Sequence, residues 1–92
     1  MKVTLVGSHL CQHTIYAITK LRDAGVDIDF RNISTSFADL KDFMREWGNS
    51  PLYEDARQEN RVGIPLYILE DGTKTRNLND VLNGVEDGNA PC

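Results

Sequence analysis

The chain has 92 residues, of which 40% are hydrophobic and 26% are charged, and its formal net charge is -4 at neutral pH. This length fits one domain, and the ordinary composition excludes a disordered, collagen-like or coiled-coil chain. A weakly acidic chain with scattered Lys and Arg lacks the basic cluster that phosphate contacts need, so we expect no nucleic-acid partner.

The first third of the chain predicts a strand, a helix and a second strand. Residues 3–6 are an apolar, β-branched run, as in a buried strand. The following helix has an apolar face made of Ile15, Ile18 and Leu21. Gly25 predicts the end of this helix, and Ile28 and Phe30 alternate with charged residues as in a second strand. A helix between two strands predicts a parallel βαβ unit.

The middle of the chain predicts a second helix that begins at Ser36. Ser36 and Asp39 have the spacing of a helix-capping pair. We expect the apolar stripe of this helix to lie in the core; it consists of Phe37, Leu40, Phe43, Met44 and Trp47. Ser50 and Pro51 then predict the start of a short surface helix over residues 52–60.

The last third predicts a β-hairpin. Residues 66–69 form a strong strand, Asp71-Gly72 is a turn signal, and residues 73–76 form a polar edge strand. A short helix is expected at residues 79–82, and residues 86–92 have no periodicity and are expected to be a mobile tail. The predicted fold is α/β, with one domain over residues 1–85 and a four-stranded mixed sheet flanked by helices.

Cys11 lies between the first strand and the first helix and is the main candidate for chemistry. Free backbone N–H groups and the positive end of the helix dipole meet there, and both favour a thiolate. Such positions lower a cysteine pKa from about 8.5 to a range of about 3.5–7.5. Thr14, three residues later, is expected to donate its hydroxyl hydrogen to the sulfur, and His13 as imidazolium adds positive charge.

The cysteine count favours a reduced compartment. Cys11 and Cys92 are too few for a disulfide scaffold, form no Cys-x-x-Cys pair, and match no zinc pattern with the two histidines, so we expect no metal. No apolar run approaches the roughly 20 residues that span a bilayer, and the N-terminus has no signal-peptide pattern. We therefore expect a cytoplasmic protein without a membrane partner.

Gly63-Ile64-Pro65 is a second distinctive feature, because it directly precedes a predicted strand. Proline cannot donate to a sheet ladder, so it belongs at the first position of a strand. Because a strand-opening Ile-Pro occurs together with a helix-opening cysteine, we predict that Pro65 is cis and that its ring lies near the Cys11 sulfur. A cis bond would turn the Ile64 backbone N–H and C=O outward.

These two features together resemble the glutaredoxin family, in particular its bacterial monothiol members. The family's cysteine motif falls on Cys11-Gln12-His13-Thr14, and its Thr-Val-Pro motif falls on Gly63-Ile64-Pro65. Its glutathione loop is similar to residues 76–80. The resemblance implies a thioredoxin fold over nearly the whole chain.

The resemblance also implies a thiol–disulfide oxidoreductase that acts on mixed disulfides through Cys11. Thr14 stands where the family often has a resolving cysteine, which implies a monothiol route. The partners implied are a low-molecular-weight thiol such as glutathione, a thiolated protein, or both. We expect the protein to be a monomer and to need no prosthetic group. The substrate-binding residues implied are Ile64, Pro65, Asn79, Asp80 and Arg76.

Three alternatives stay open from the sequence. The chain could be a redox-inactive binding module of the thioredoxin fold. It could also belong to the arsenate-reductase or transcription-regulator branches, for which Arg57, Arg61 and Arg76 are the anion-site candidates. Finally, Cys92 could replace the missing resolving cysteine, although we expect it to be a chance terminal residue.

Overall fold

The computed structural model describes residues 1–83 and residue 92. The strands in this part of the chain are β1 (Lys2–Gly7), β2 (Asp27–Asn32), β3 (Leu66–Leu69) and β4 (Lys74–Thr75). The helices are α1 (Gln12–Asp23), α2 (Phe37–Asn49) and α3 (Glu54–Gln58), with short 3-10 helices at Pro51–Tyr53 and Leu78–Asp80. None of the helices in these ranges is long and apolar enough to cross a membrane.

The four strands form one mixed sheet in the order β2-β1-β3-β4. β1 and β2 are parallel, and the two other pairs are antiparallel. The predicted mixed sheet, with a parallel βαβ unit and an antiparallel hairpin, is therefore confirmed. Val6 pairs with Leu66, so the end of β1 and the beginning of β3 lie at the same edge of the sheet. This register brings the segment after β1 and the segment before β3 together.

Helices cover both faces of the sheet, and each face has its own core. One face buries Val3, Leu5 and Tyr67 against Ala17 and Leu21 of α1, with Leu78 and Val81 at the side. The other face buries Val6 and Leu66 against a cluster that contains Phe43, Tyr53, Ala56, Ile64 and Cys11. Cys11 therefore belongs to the core on the α2–α3 side of the sheet.

The predicted helix ends are confirmed where the signal is local. The Ser36 side chain accepts a hydrogen bond from the Asp39 amide at 3.2 Å and caps α2. Ala24 caps the end of α1, and Gly25 follows with φ +76°, a left-handed conformation that glycine adopts without a Cβ penalty.

The predicted core stripe of α2 is wrong at two positions. Phe43 is buried, but Phe37 is 84% exposed and Met44 is 60% exposed. Phe37 and Met44 are seven residues apart, so they share one side of the helix, about 100–120° around the axis from the buried Phe43. Ile15 of α1 is likewise half exposed, because the buried face of that helix consists of Thr14, Ala17 and Leu21.

Two more predictions concern the end of the described chain. The helix expected at residues 79–82 is a 3-10 helix at Leu78–Asp80. The mobile tail predicted at residues 86–92 lies outside the described residues except for Cys92, which is half-buried.

Candidate functional site

Cys11 is the N-cap residue of α1. Its amide donates to the Ser8 carbonyl at 3.1 Å, which closes a tight turn after β1, and its carbonyl accepts the first helical hydrogen bond, from Ile15. The Cys11 Sγ accepts a hydrogen bond from the Thr14 amide at 3.4 Å. The sulfur thus occupies the place of a capping oxygen and faces the positive end of the helix dipole. Cys11 is only 6% exposed.

The Thr14 backbone amide contacts the Cys11 sulfur, whereas the Thr14 hydroxyl oxygen contacts the Ser8 amide. The Thr14 Oγ1 accepts a hydrogen bond from the Ser8 amide at 3.4 Å, and the side chain is fully buried. A Cβ on Gly7 would lie 2.6 Å from this Oγ1, so glycine is what lets α1 pack so closely on the end of β1. In this disulfide-bonded state the Thr14 amide donates to the sulfur, and the hydrogen bond from the Thr14 hydroxyl to the Cys11 thiolate stays a prediction.

Cys11 forms a disulfide bond with Cys92. The two Cα atoms are 6.0 Å apart, although 81 positions separate the residues in sequence. Cys92 packs against the same buried cluster that contains Cys11 and Ile64. The expectation that Cys92 is a chance terminal residue is therefore wrong. The sequence left this pairing open only as the less favoured alternative, because no short-range pattern links two residues so far apart.

The peptide bond between Ile64 and Pro65 is cis, as predicted. Pro65 is buried, and Ile64 packs in the cluster that contains Cys11 and Cys92. The Gly63 amide, one residue before Ile64, donates to the Cys92 carbonyl at 2.8 Å. The segment before β3 thus holds Cys92 through its backbone, beside the disulfide.

Tyr53 holds the Gly63 peptide through its hydroxyl, a role that the sequence did not predict. It was placed on a surface helix, but it is fully buried, and its hydroxyl donates to the Gly63 carbonyl at 2.9 Å. Burial raises the pKa of the Tyr53 hydroxyl, against the opposing effect of the nearby Arg76 cation, so the phenol remains a donor. The apolar spacing of Leu52, Tyr53 and Ala56 is the signal that could have indicated a buried face.

The Arg76 side chain lies next to Gly63 and is held by contacts with other residues of the chain. Its guanidinium stacks over the Tyr53 ring at 4.6 Å. It donates to the Leu52 carbonyl and to Asp55 at 2.9 and 2.8 Å. The hydrogen bond from Arg76 lowers the pKa of the Asp55 carboxyl below its ordinary value, so Asp55 stays ionised at neutral pH. Arg76 and Tyr53 therefore pack together against one side of Gly63.

The loop residues predicted to bind substrate lie after β4. Asn79 and Asp80 are exposed within the 3-10 helix at Leu78–Asp80. The Asp80 carboxylate accepts a hydrogen bond from the Thr75 hydroxyl, which ties the loop to the edge strand. No contact joins either residue to Cys11 among the described interactions, so these two residues form a separate group.

The other basic candidates are also placed. His13 is half-buried, and its Nε2 has no hydrogen-bond partner within the described ranges. Arg57 donates to two backbone carbonyls, and Arg61 pairs with two nearby carboxylates. The three arginines considered for an anion site thus each have a partner away from the sulfur. Within residues 1–83 and 92, no group of three or more His, Cys, Asp or Glu side chains could hold a metal ion.

The fold and site together define a small α/β protein whose mixed sheet presents a disulfide-bonded cysteine at the start of its first helix. The chain is 31% identical over 71 residues to an uncharacterized protein of Haemophilus influenzae, a match that covers 77% of this chain and 83% of that relative. The chain therefore belongs to the same family as that protein. No family model and no solved structure matches the chain.

Proposed function

We propose that this protein is a glutaredoxin-like thiol–disulfide oxidoreductase with a thioredoxin fold, in which Cys11 is the nucleophile. The observation that carries the proposal is the placement of the Cys11 sulfur. It caps α1, accepts the Thr14 amide, and lies in one cluster with the residue that precedes cis-Pro65. The strand order and the βαβ start support the same fold.

The proposed chemistry is exchange between thiols and disulfides at Cys11. Once the disulfide with Cys92 is reduced, the helix N-terminus stabilises the Cys11 thiolate through its amide and its dipole. The thiolate attacks one sulfur of a mixed disulfide, and the other sulfur leaves as a thiolate. A thiolate that is stabilised in this way is also a good leaving group, so the same sulfur works in both directions of exchange.

The proposed partners are a low-molecular-weight thiol of the glutathione type and proteins that carry such a thiol. The backbone before Pro65 supports this proposal, because the Gly63 amide already binds a chain segment next to the disulfide. Asn79 and Asp80 are exposed and available to a peptide amino group. The mechanism requires no prosthetic group, and two cysteines in 92 residues suit a cytoplasmic protein rather than a disulfide-rich secreted one.

Alkylation of the reduced protein tests the proposal, with Cys11→Ser as the comparison. The rate of reaction with iodoacetamide is measured as a function of pH. In wild type, we expect this rate to reach half its maximum at a pH well below about 8.5, the pKa of a free cysteine. In Cys11→Ser the remaining Cys92 gives an internal reference with an ordinary midpoint. Reduction of a glutathionylated peptide should be lost in Cys11→Ser. An ordinary midpoint in wild type, with activity retained in Cys11→Ser, would favour a redox-inactive binding module.

A further inference from the structure

Cys92 is placed by more than the disulfide bond itself. Its carbonyl accepts the Gly63 amide at 2.8 Å, and its side chain packs on the cluster that contains Cys11. Gly63 has φ +77°, and a Cβ there would lie 2.8 Å from the Tyr53 ring and 3.0 Å from the Arg76 guanidinium. Tyr53 and Arg76 thus hold Gly63 in place, and its amide is oriented to bind the Cys92 carbonyl.

We propose that Cys92 is the resolving cysteine, and that the protein acts as a dithiol couple formed by Cys11 and Cys92. This inference rests on the function proposed above and replaces the monothiol route that the family resemblance implies. Thr14 occupies the usual place of a resolving cysteine, but its hydroxyl cannot displace a thiol from a mixed disulfide, since that step needs a thiolate. Cys92, in contrast, already lies within bonding distance of the Cys11 sulfur.

The two steps balance in sulfur, electrons and protons. First, the Cys11 thiolate attacks a substrate disulfide R–S–S–R′; the mixed disulfide Cys11–S–S–R forms, and R′ leaves as a thiolate that solvent protonates. Second, the Cys92 thiolate attacks the Cys11 sulfur; the Cys11–Cys92 bond forms, and R leaves as a thiolate. The substrate disulfide has gained two electrons and the cysteine pair has lost two. Two equivalents of a small thiol, of the glutathione class, then reduce the pair and are oxidised to their own disulfide.

The alternative is that Cys11 holds the small thiol until a second external thiol removes it. The two routes differ in the lifetime of the mixed disulfide on Cys11. An intramolecular thiol acts at an effective concentration in the millimolar range, so at about 10 micromolar free thiol it should clear the adduct about 100-fold faster than the external route. The lifetime of the adduct therefore distinguishes the two routes.

The experiment uses fully reduced, dilute protein, a stoichiometric amount of oxidised glutathione as the probe, and intact-mass measurement over time. Wild type should pass rapidly to the intramolecular disulfide, whereas Cys92→Ser should accumulate a lasting glutathione adduct on Cys11. The double variant Cys92→Ser/Thr73→Cys restores the thiol count in the β3–β4 turn. Because β3 runs antiparallel to β1, this turn is at the opposite end of the sheet from Cys11. We expect the double variant to keep the adduct as Cys92→Ser does.

The outcomes separate this inference from the proposed function. If wild type keeps the adduct as long as Cys92→Ser does, Cys92 does not resolve it and the monothiol route stands. If the double variant clears the adduct as fast as wild type, the position of Cys92 is irrelevant and the inference is overturned. If Cys11 reacts no faster than Cys92 does in Cys11→Ser, the proposed function itself fails.

Discussion

At the scale of single residues, the positions that sequence analysis placed correctly depend on short sequence motifs. Cys11 at the helix N-cap follows from the few residues around it, whereas the cis bond before Pro65 was predicted from the pairing of Ile64-Pro65 with Cys11. The contact between the Thr14 hydroxyl oxygen and the Ser8 amide was not predicted, because it depends on the neighbouring strand. Gly7, on the preceding strand, comes so close to Thr14 that the hydroxyl is held against the Ser8 amide.

Gly63 and Gly25 provide a matched pair for a prediction about stability. Both have left-handed backbones, with φ of +77° and +76°, but only Gly63 has atoms close to an added Cβ. Gly25→Ala should lower the free energy of unfolding by about 1–2 kcal/mol, the cost of a left-handed conformation for a residue with a Cβ. Gly63→Ala should lower it further, because Tyr53 and Arg76 must move.

Urea denaturation of the two variants, both in the disulfide-bonded state, measures this difference. The Gly63→Ala variant should also reform the Cys11–Cys92 bond more slowly after reduction, since its amide is displaced from the Cys92 carbonyl. Gly25→Ala serves as the control for both readouts. Equal losses of stability in the two variants would show that Tyr53 and Arg76 move aside with no loss of unfolding free energy.

At the scale of elements, the sequence predicted where helices and strands lie better than which parts of them are covered. Ser36 gave the start of α2. The helical period predicted too wide a buried face, because it could not show that only the side with Phe43 is covered, so Phe37 and Met44 are exposed. The same limitation applies to Tyr53, whose burial depends on how the α2–α3 connection returns to the sheet.

Glu46 and Lys74 connect α2 to the edge strand β4 and give a pH-dependent prediction. Their ion pair has an N–O distance of 2.7 Å, and Glu46 is largely shielded from solvent while Lys74 is not. The hydrogen bond from Lys74 lowers the pKa of the Glu46 carboxyl below its ordinary value of 4.5. Because the folded-state pKa is the lower one, the pair stabilises the fold above this value, and the stabilisation is lost as the pH falls through the folded-state pKa.

We therefore expect Glu46→Gln to unfold more easily than wild type by about 0.5 kcal/mol at neutral pH, the scale of a partly exposed ion pair. The difference should shrink toward zero as the pH is lowered through the acidic range, where the wild-type carboxyl is protonated. Urea denaturation over a pH series measures it. Asp42→Asn, on the same helix but 75% exposed, is the control and should show little effect at any pH. A constant difference across the series would assign the effect of Glu46→Gln to packing.

At the scale of the whole molecule, the sheet register explains why the site forms. The end of β1 and the beginning of β3 share an edge, so Cys11 and the segment before Pro65 meet there. The sequence predicted this edge, because it follows from the βαβ unit and the hairpin. It left the pairing of Cys92 with Cys11 as an alternative and favoured a chance terminal residue, since the bond spans 81 positions and depends on the assembled fold.

The Cys11–Cys92 bond should couple the redox state of the protein to its stability. A cross-link over so many residues restricts the unfolded chain, and such bonds typically add about 2–4 kcal/mol to the free energy of unfolding. By the same thermodynamic cycle, folding favours formation of the bond by an equal amount, so the folded dithiol is driven toward the oxidised state. Urea denaturation of wild type with and without a reductant should show this difference, and Cys92→Ser should be insensitive to the reductant. If reduced and oxidised wild type unfold at the same urea concentration, folding does not favour the bond, and the drive to resolve a mixed disulfide must come from the substrate.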